Sequence, residues 1–532
     1  MKIKTPIFIL LLLAISFNSF SQNTNKYWVF LSDKNGTVFN PLEYFDAKAI
    51  ERRILANIPI DHISDYPLRE DYTQKIDQLV EKSGYGSRWF NAISVDATEQ
   101  QILEVSKLDF VTDIQMQNIS FHLCNFEEDH SNTSDDWLAE AQIAMMQGEL
   151  FQKNDITGKG IRIAIFDGGF PKVDTHKAFE HVRENNRIIK TWDFPKKREN
   201  VYSNHSHGLM VMSNICGIYN NKTIGLATES EFLLARTEVN SEPFAEEEWW
   251  LAAAEWADKN GAHIINSSLG YTYHRYFPEQ MDGQTSLVAR AATMAAKKGM
   301  LVVNAMGNDG TNSWKAIGTP ADADSVLSVG GISPENFHKI NFSSFGPTAD
   351  GRRKPNVINS GTAKVASKNG ITTASGTSFA TPLTTGFVAC VWQMFPEKTN
   401  MEIFEMIEKS GSLYPYYDYA HGFGVPQASY FTESNVQKNR EPSFEIKIDE
   451  NNKVLNVQLS KTYSNIDESF VNKKTEYYLY YHIENEDGKL SKYELIDVTR
   501  NDSFEIDFKD AKNKSTIRVL YKGYIYEYNV KQ

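Results

Sequence analysis

Apolar positions change period three times along this chain, and each change marks a unit. In the first unit, Tyr27 to Leu31 is a run of aromatic and branched residues that reads as a strand. Glu43 to Leu55 and Tyr72 to Lys82 have helical spacing, and Trp89 to Val95 reads as a second strand. Glu99 to Leu108 carries Ile102, Leu103 and Val105 at helical positions, and Val111 to Met116 alternates as a closing strand. From Cys124 to Asp136 the chain turns polar, with a linker's composition. From about 137 to 432, short apolar runs alternate with longer helical segments. Ile161 to Phe166, Phe232 to Ala235, His263 to Asn266, Met300 to Val303 and Ser325 to Val329 read as buried strands; Trp249 to Asn260 and Ser286 to Lys298 read as helices. That alternation predicts a mostly parallel sheet with helices on both faces. Beyond 441 strict alternation returns at Ser443 to Ile448, Leu455 to Leu459 and Ser503 to Phe508, with turns at Asn451-Asn452 and Glu486-Asp487-Gly488. This predicts a small all-β, sandwich-like module.

The expected organisation is therefore an α/β protein flanked by a small α+β domain and an all-β module. Its boundaries are 1–21, 22–120, 121–144, 145–432 and 441–532. The first segment is a targeting signal. Lys2 and Lys4 precede the apolar run Ile7 to Ile15, and Ser19-Phe20-Ser21 fits a small-x-small cleavage site. The run is too short to span a bilayer, so the chain is expected to be secreted or displayed at the cell surface, with no membrane span. A net charge of −13 lacks the basic footprint that a nucleic-acid-binding surface needs. The three cysteines, Cys124, Cys216 and Cys390, fit no zinc spacing. Cys216 and Cys390 lie in apolar stretches and read as buried thiols, with a bridge between them as the alternative.

Three segments carry candidate chemistry. Asp167 ends the apolar run Ile163 to Phe166 and precedes two glycines, at the strand end where open α/β sheets keep their ligands. By itself an Asp before glycines is a turn. In His205-Ser206-His207-Gly208 two histidines compete, and the following glycine selects His207. In Ser375-Gly376-Thr377-Ser378-Phe379-Ala380-Thr381-Pro382 a serine opens a helix, so that its backbone N–H faces outward. Pro382 is expected in the first turn, where its missing N–H costs little.

The last of these segments, with Asp, His and Ser in that chain order, resembles the subtilisin-like serine peptidases (subtilases). Ser267-Ser268-Leu269-Gly270 and Asn304-Ala305-Met306-Gly307-Asn308 resemble two further family segments, so the likeness covers roughly 145–430. The resemblance implies a serine endopeptidase with Asp167, His207 and Ser378 as its triad. It also implies Asn308 in the oxyanion hole and Ser268, Leu269 and Gly270 binding extended protein or peptide substrates. Two positions depart from the pattern: Gly168 follows the acid and Leu209 follows the His-Gly pair. The amino-terminal unit is similar to a subtilase propeptide, which implies a zymogen with an intramolecular inhibitor. No cofactor is expected; no calcium loop stands out, and structural calcium is left unassigned. The rival reading is a catalytically inactive subtilase-fold protein that binds at a surface.

Overall fold

A computed structural model of the protein describes residues 23–117, 136–239, 243–273, 275–433, 441–460, 477–499 and 501–531. The expected targeting signal, Cys124 and most of the expected linker lie outside the described residues.

The amino-terminal unit is an antiparallel sheet, ordered β2-β3-β1-β4, with helices packed on it. Its strands are β1 (Asn25–Leu31), β2 (Lys82–Ser87), β3 (Ala92–Ala97) and β4 (Val111–Gln117). The main helix, α1 (Ala47–Leu55), starts only at Asp46, whose carboxylate caps the Lys48 N–H at 3.0 Å. The expected helix from Tyr72 ends at Asp77, and β2 follows it unannounced, because Ser83-Gly84-Tyr85-Gly86 has little strand character. Gly84 has a tertiary reason: a Cβ there would lie 2.2 Å from the Glu248 carboxylate, which accepts the Tyr85 N–H at 2.6 Å.

The central unit is a seven-stranded parallel sheet, ordered β11-β10-β9-β8-β5-β7-β6. In chain order these strands are β5 (Arg162–Asp167), β6 (Ile188–Asp193), β7 (Glu231–Arg236), β8 (Ile264–Ser267), β9 (Leu301–Ala305), β10 (Val326–Ile332) and β11 (Val357–Ser360). Every residue of β5, β8, β9, β10 and β11 is buried, which is why these strands read as apolar runs instead of alternating. On one face lie α2 (His207–Cys216) and α5 (Thr377–Met394), around Leu209, Ile215, Phe387 and Val391. On the other lie α3 (Ala245–Lys259) and α4 (Leu287–Lys297), around Trp250, Ala254, Val288 and Ala292. Cys216 and Cys390 are buried free thiols, pushed up by burial away from the reactive thiolate form.

The amino-terminal sheet lies against α3. Trp28 and Trp89 enter the central unit's own core, and three acids of α3 bind the domain. Glu248 takes Lys26 at 2.9 Å and the Tyr85 N–H. Glu255 accepts from Ser87 Oγ at 2.5 Å and from the N–H groups of Arg88 and Trp89 at 3.0 and 3.2 Å. Asp258 pairs with Arg52 and Arg53.

The carboxy-terminal module holds two antiparallel sheets, β12-β13-β16 and β15-β14-β17-β18, around Phe444, Leu455, Leu479 and Ile517. Its strands are β12 (Phe444–Asp449), β13 (Val454–Leu459), β14 (Tyr478–Glu484), β15 (Leu490–Asp497), β16 (Ser503–Asp507), β17 (Thr516–Tyr521) and β18 (Tyr524–Asn529). It packs on the aromatic segment 413–423 of the central unit. Tyr416 joins Tyr480 and Leu520, and Tyr417 and Tyr419 join Leu490 and Tyr493. Burial pushes His482 down to about 4, so this neutral ring donates from Nδ1 to the Tyr417 carbonyl at 2.5 Å. The alternating strands alone suggest a module independent of the rest; these buried aromatics pack it against the central unit.

Burial pushes the Glu255 carboxyl up to about 7, against the pull of its three donors. A carboxyl raised by folding contributes its stability below its unfolded value, about 4.3. It loses that stability as pH climbs through 7, a loss on the order of 3 kcal/mol. Glu255→Gln abolishes that titration. The melting temperature of wild type minus that of Glu255→Gln is expected to fall between about pH 5 and pH 8. A difference that stays constant across this range would contradict the assignment.

Candidate active site

The site forms at the carboxyl edge of the sheet, where β5 ends. Asp167 is wholly buried. Its carboxylate accepts the Gly168 N–H at 2.7 Å and faces His207 Nδ1 at 2.9 and 3.1 Å. The neighbouring strand ties the backbone down: Thr237 N–H donates to the Asp167 carbonyl at 2.9 Å, and Arg236 Nε to the Gly168 carbonyl at 3.0 Å.

His207 is the first residue of α2. Its ring centroid lies 5.7 Å from that of Phe379, the residue after Ser378. His205 contributes differently, accepting the His207 backbone N–H on Nδ1 at 3.2 Å. The structure thus brings His207 to Asp167 and uses His205 to hold the start of the helix. Gly208 is required by the approach itself. A Cβ there would stand 2.4 Å from the Gly169 carbonyl oxygen and 3.0 Å from Asp167 Cβ.

Ser378 is the second residue of α5, a helix buried through Trp392. Its hydroxyl donates to the Ser268 carbonyl at 3.1 Å, and Ser268 Oγ donates to the Ser378 carbonyl at 3.0 Å. Pro382 is the sixth residue of α5, past the first turn where the sequence suggested it. Its missing N–H therefore does cost a helix bond, the one to Ser378.

Asn308 accepts on Oδ1 from both the backbone N–H and the hydroxyl of Thr377, each at 2.9 Å. Those two bonds fix the amide orientation and leave Nδ2 on the Gly376 side, 3.5 Å from where a Cβ on Gly376 would sit. After the buried Ser268, Leu269 is half-buried and Gly270 exposed. Asn304 Nδ2 holds the Leu269 carbonyl at 2.9 Å, and Tyr271 and Thr319 exchange backbone bonds of 2.8 and 3.1 Å.

One feature of this region is invisible to motif reading. Tyr271 donates its hydroxyl to Glu238 at 2.6 Å, and Glu238 lies across from Gly168, with its Cβ 3.9 Å from a Cβ built there. Burial and the neighbouring Glu246 push the Glu238 carboxyl well up. Tyr276 binds Glu247 at 2.7 Å, whereas Tyr273 and Phe277 are exposed. Among the described residues, no cluster of three or more His, Cys, Asp or Glu side chains could hold a metal, and no helix is long and apolar enough to cross a membrane.

The Gly208 contact yields a direct test. Gly208→Ala forces a methyl against the Gly169 carbonyl, so α2 must back away from β5. The expected cost is about 1–3 kcal/mol of stability, together with weakening of the Asp167–His207 hydrogen bond, read from the His207 Nδ1–H proton resonance by NMR. Unchanged stability and an unchanged resonance would show that the close approach does not set the Asp167–His207 contact.

The chain has matches among known proteins. Residues 158–425 match the family model described as the subtilase family, and residues 26–134 match that of the peptidase S8 propeptide domain of Bacteroidota. Subtilisin-like protease SBT6.1 of Arabidopsis thaliana is 29% identical over 289 residues, 52% of this chain. The match spans only 26% of that protein's length. Subtilisin E of Bacillus subtilis (strain 168) is 25% identical over 345 residues, covering 64% of this chain and 81% of that protein. Among solved structures, MycP1 from Mycobacterium smegmatis aligns with a TM-score of 0.47 at 20% identity, over 62% of this chain and 94% of its own. With a subtilase model spanning half of its length and a propeptide model ahead of it, the chain belongs to the subtilase family of serine proteases.

Proposed function

We propose that the protein is an exported serine endopeptidase that cleaves peptide bonds through an acyl-enzyme. The observation that carries this reading is the buried Asp167–His207 contact beside the helix that carries Ser378 in its first turn. A carboxylate on Nδ1 keeps the imidazole proton there and leaves Nε2 as the basic nitrogen. The Ser378 hydroxyl, resting on the Ser268 carbonyl, turns to His207 Nε2 and gives up its proton as Oγ attacks the substrate carbonyl. The Ser378 backbone N–H and Asn308 Nδ2 hold the oxyanion. His207 then protonates the leaving amine as the C–N bond breaks, and water repeats the sequence on the acyl-enzyme. The edge at Ser268, Leu269 and Gly270 pairs with the extended substrate. Export rests on the signal at 1–21, and the domain at 22–120 acts as an intramolecular inhibitor during maturation.

His207→Ala is expected to lower kcat by ~10⁴ or more, whereas His205→Ala, which loses only the contact at the helix start, should cost about tenfold or less. The reverse ranking would overturn the assignment. Asn308→Ala should lower kcat by ~10²–10³, the size this loss has in a subtilisin, with little change in KM. A pure KM effect would remove Asn308 from the oxyanion hole.

Maturation supplies a second test. Wild type should yield a species lacking the residues before roughly 120–140, a boundary read from chain composition. Ser378→Ala should accumulate as the uncut chain. A wild type that stays full-length and fully active would make the amino-terminal domain an accessory unit instead.

A further inference from the structure

Pro382 leaves a specific hole in the site. In a regular helix the carbonyl of residue 378 accepts from the N–H of residue 382. Proline has none, so the carbonyl of the proposed nucleophile, buried with its residue, lacks its helix donor. The Ser268 hydroxyl fills that vacancy at 3.0 Å.

The direction of this hydrogen bond is fixed from behind. Thr385, about two turns beyond Ser378 on α5, donates its hydroxyl to Asn266 Oδ1 at 2.8 Å. That turns Asn266 Nδ2 toward Ser268 Oγ, 3.3 Å away. With Asn266 donating to it, Ser268 Oγ is left to donate its own hydrogen to Ser378. All four side chains are buried, so water does not compete along the chain Thr385–Asn266–Ser268–Ser378.

We propose that Ser268, oriented by Asn266, is a positioning residue that replaces the helix hydrogen bond Pro382 removes and thereby sets the attitude of Ser378. This gives the Ser268 side chain a role separate from substrate pairing by its segment. It rests on the reading of Ser378 as nucleophile. The replacement differs from an ordinary helix bond in what it joins. A helix bond would tie Ser378 only to its own helix; the Ser268 hydroxyl ties it to the end of β8. The return bond from Ser378 Oγ to the Ser268 carbonyl adds a second tie. The attacking oxygen and the Ser378 N–H are thus registered against the sheet edge that carries Asp167. Displacements of about 1 Å in such a group cost up to ~10²-fold in rate.

The test uses mature enzyme made from the full chain, with rates normalised to titrated active sites. Ser268→Ala is expected to lower kcat about tenfold with KM within about twofold, because the loss falls on attack geometry and not on binding. Pro382→Ala restores an N–H at position 382. Alone it should leave kcat near wild type; combined with Ser268→Ala it should recover most of the lost kcat. A role confined to stability would lower the melting temperature or the titratable fraction, without a kcat per site that Pro382→Ala restores. Should Ser268→Ala fail to mature, Ser268→Cys keeps the volume and weakens the donor, and is read in the same way. Wild-type kcat in Ser268→Ala, or a double variant no better than Ser268→Ala, overturns the proposal. Activity persisting in Ser378→Ala would instead overturn the reading of Ser378 itself.

Discussion

A carboxylate without solvent must find its donors in the protein, and Asp167 sets that demand at the end of β5. Gly168 meets part of it locally. The rest comes from His207, 40 residues on (207 − 167). That requirement brings the start of α2 against the turn after β5, and only a residue without a Cβ fits at 208. With α2 so placed, α5 packs beside it in one apolar layer, and Phe379 comes to the His207 ring. The position of Ser378 on α5 is thus coupled, through α2, to the burial of an acid at the end of β5.

The two flanking units are held by different physics. The amino-terminal domain lies on α3 through buried acids that accept backbone N–H groups and cations, with two tryptophans entering the core beneath. Within this contact burial raises the Glu255 carboxyl above its ordinary range. The carboxy-terminal module is held by tyrosines packed edge to face and by Glu484, shared between Arg353 and Arg518.

The sequence was informative wherever one residue type had one physical outcome. The runs at 161–166 and 300–303 became strands because both faces of a parallel sheet are covered. His207 is separable from His205 by its glycine, where a Cβ would collide with the Gly169 carbonyl. What escaped depends on distant partners. The strand Lys82–Ser87 carries glycine because Glu248 needs the space. The edge strand Ile188–Asp193 has no apolar run, since several of its residues stay partly exposed. Pro382 looked harmless without the true start of α5, and the Ser268–Ser378 exchange spans 110 residues. The pairing of Tyr271 with Glu238 likewise joins two loops that no local pattern connects.

The central claim is that Asp167, His207 and Ser378 act as one nucleophilic unit. It is tested most directly by treating the mature enzyme with a serine-directed phosphonate and mapping the modified peptide by mass spectrometry. The account predicts one adduct, on Ser378, formed in wild type and lost in His207→Ala. An adduct on another residue, or a wild type that hydrolyses peptides while Ser378 stays unmodified, would contradict it.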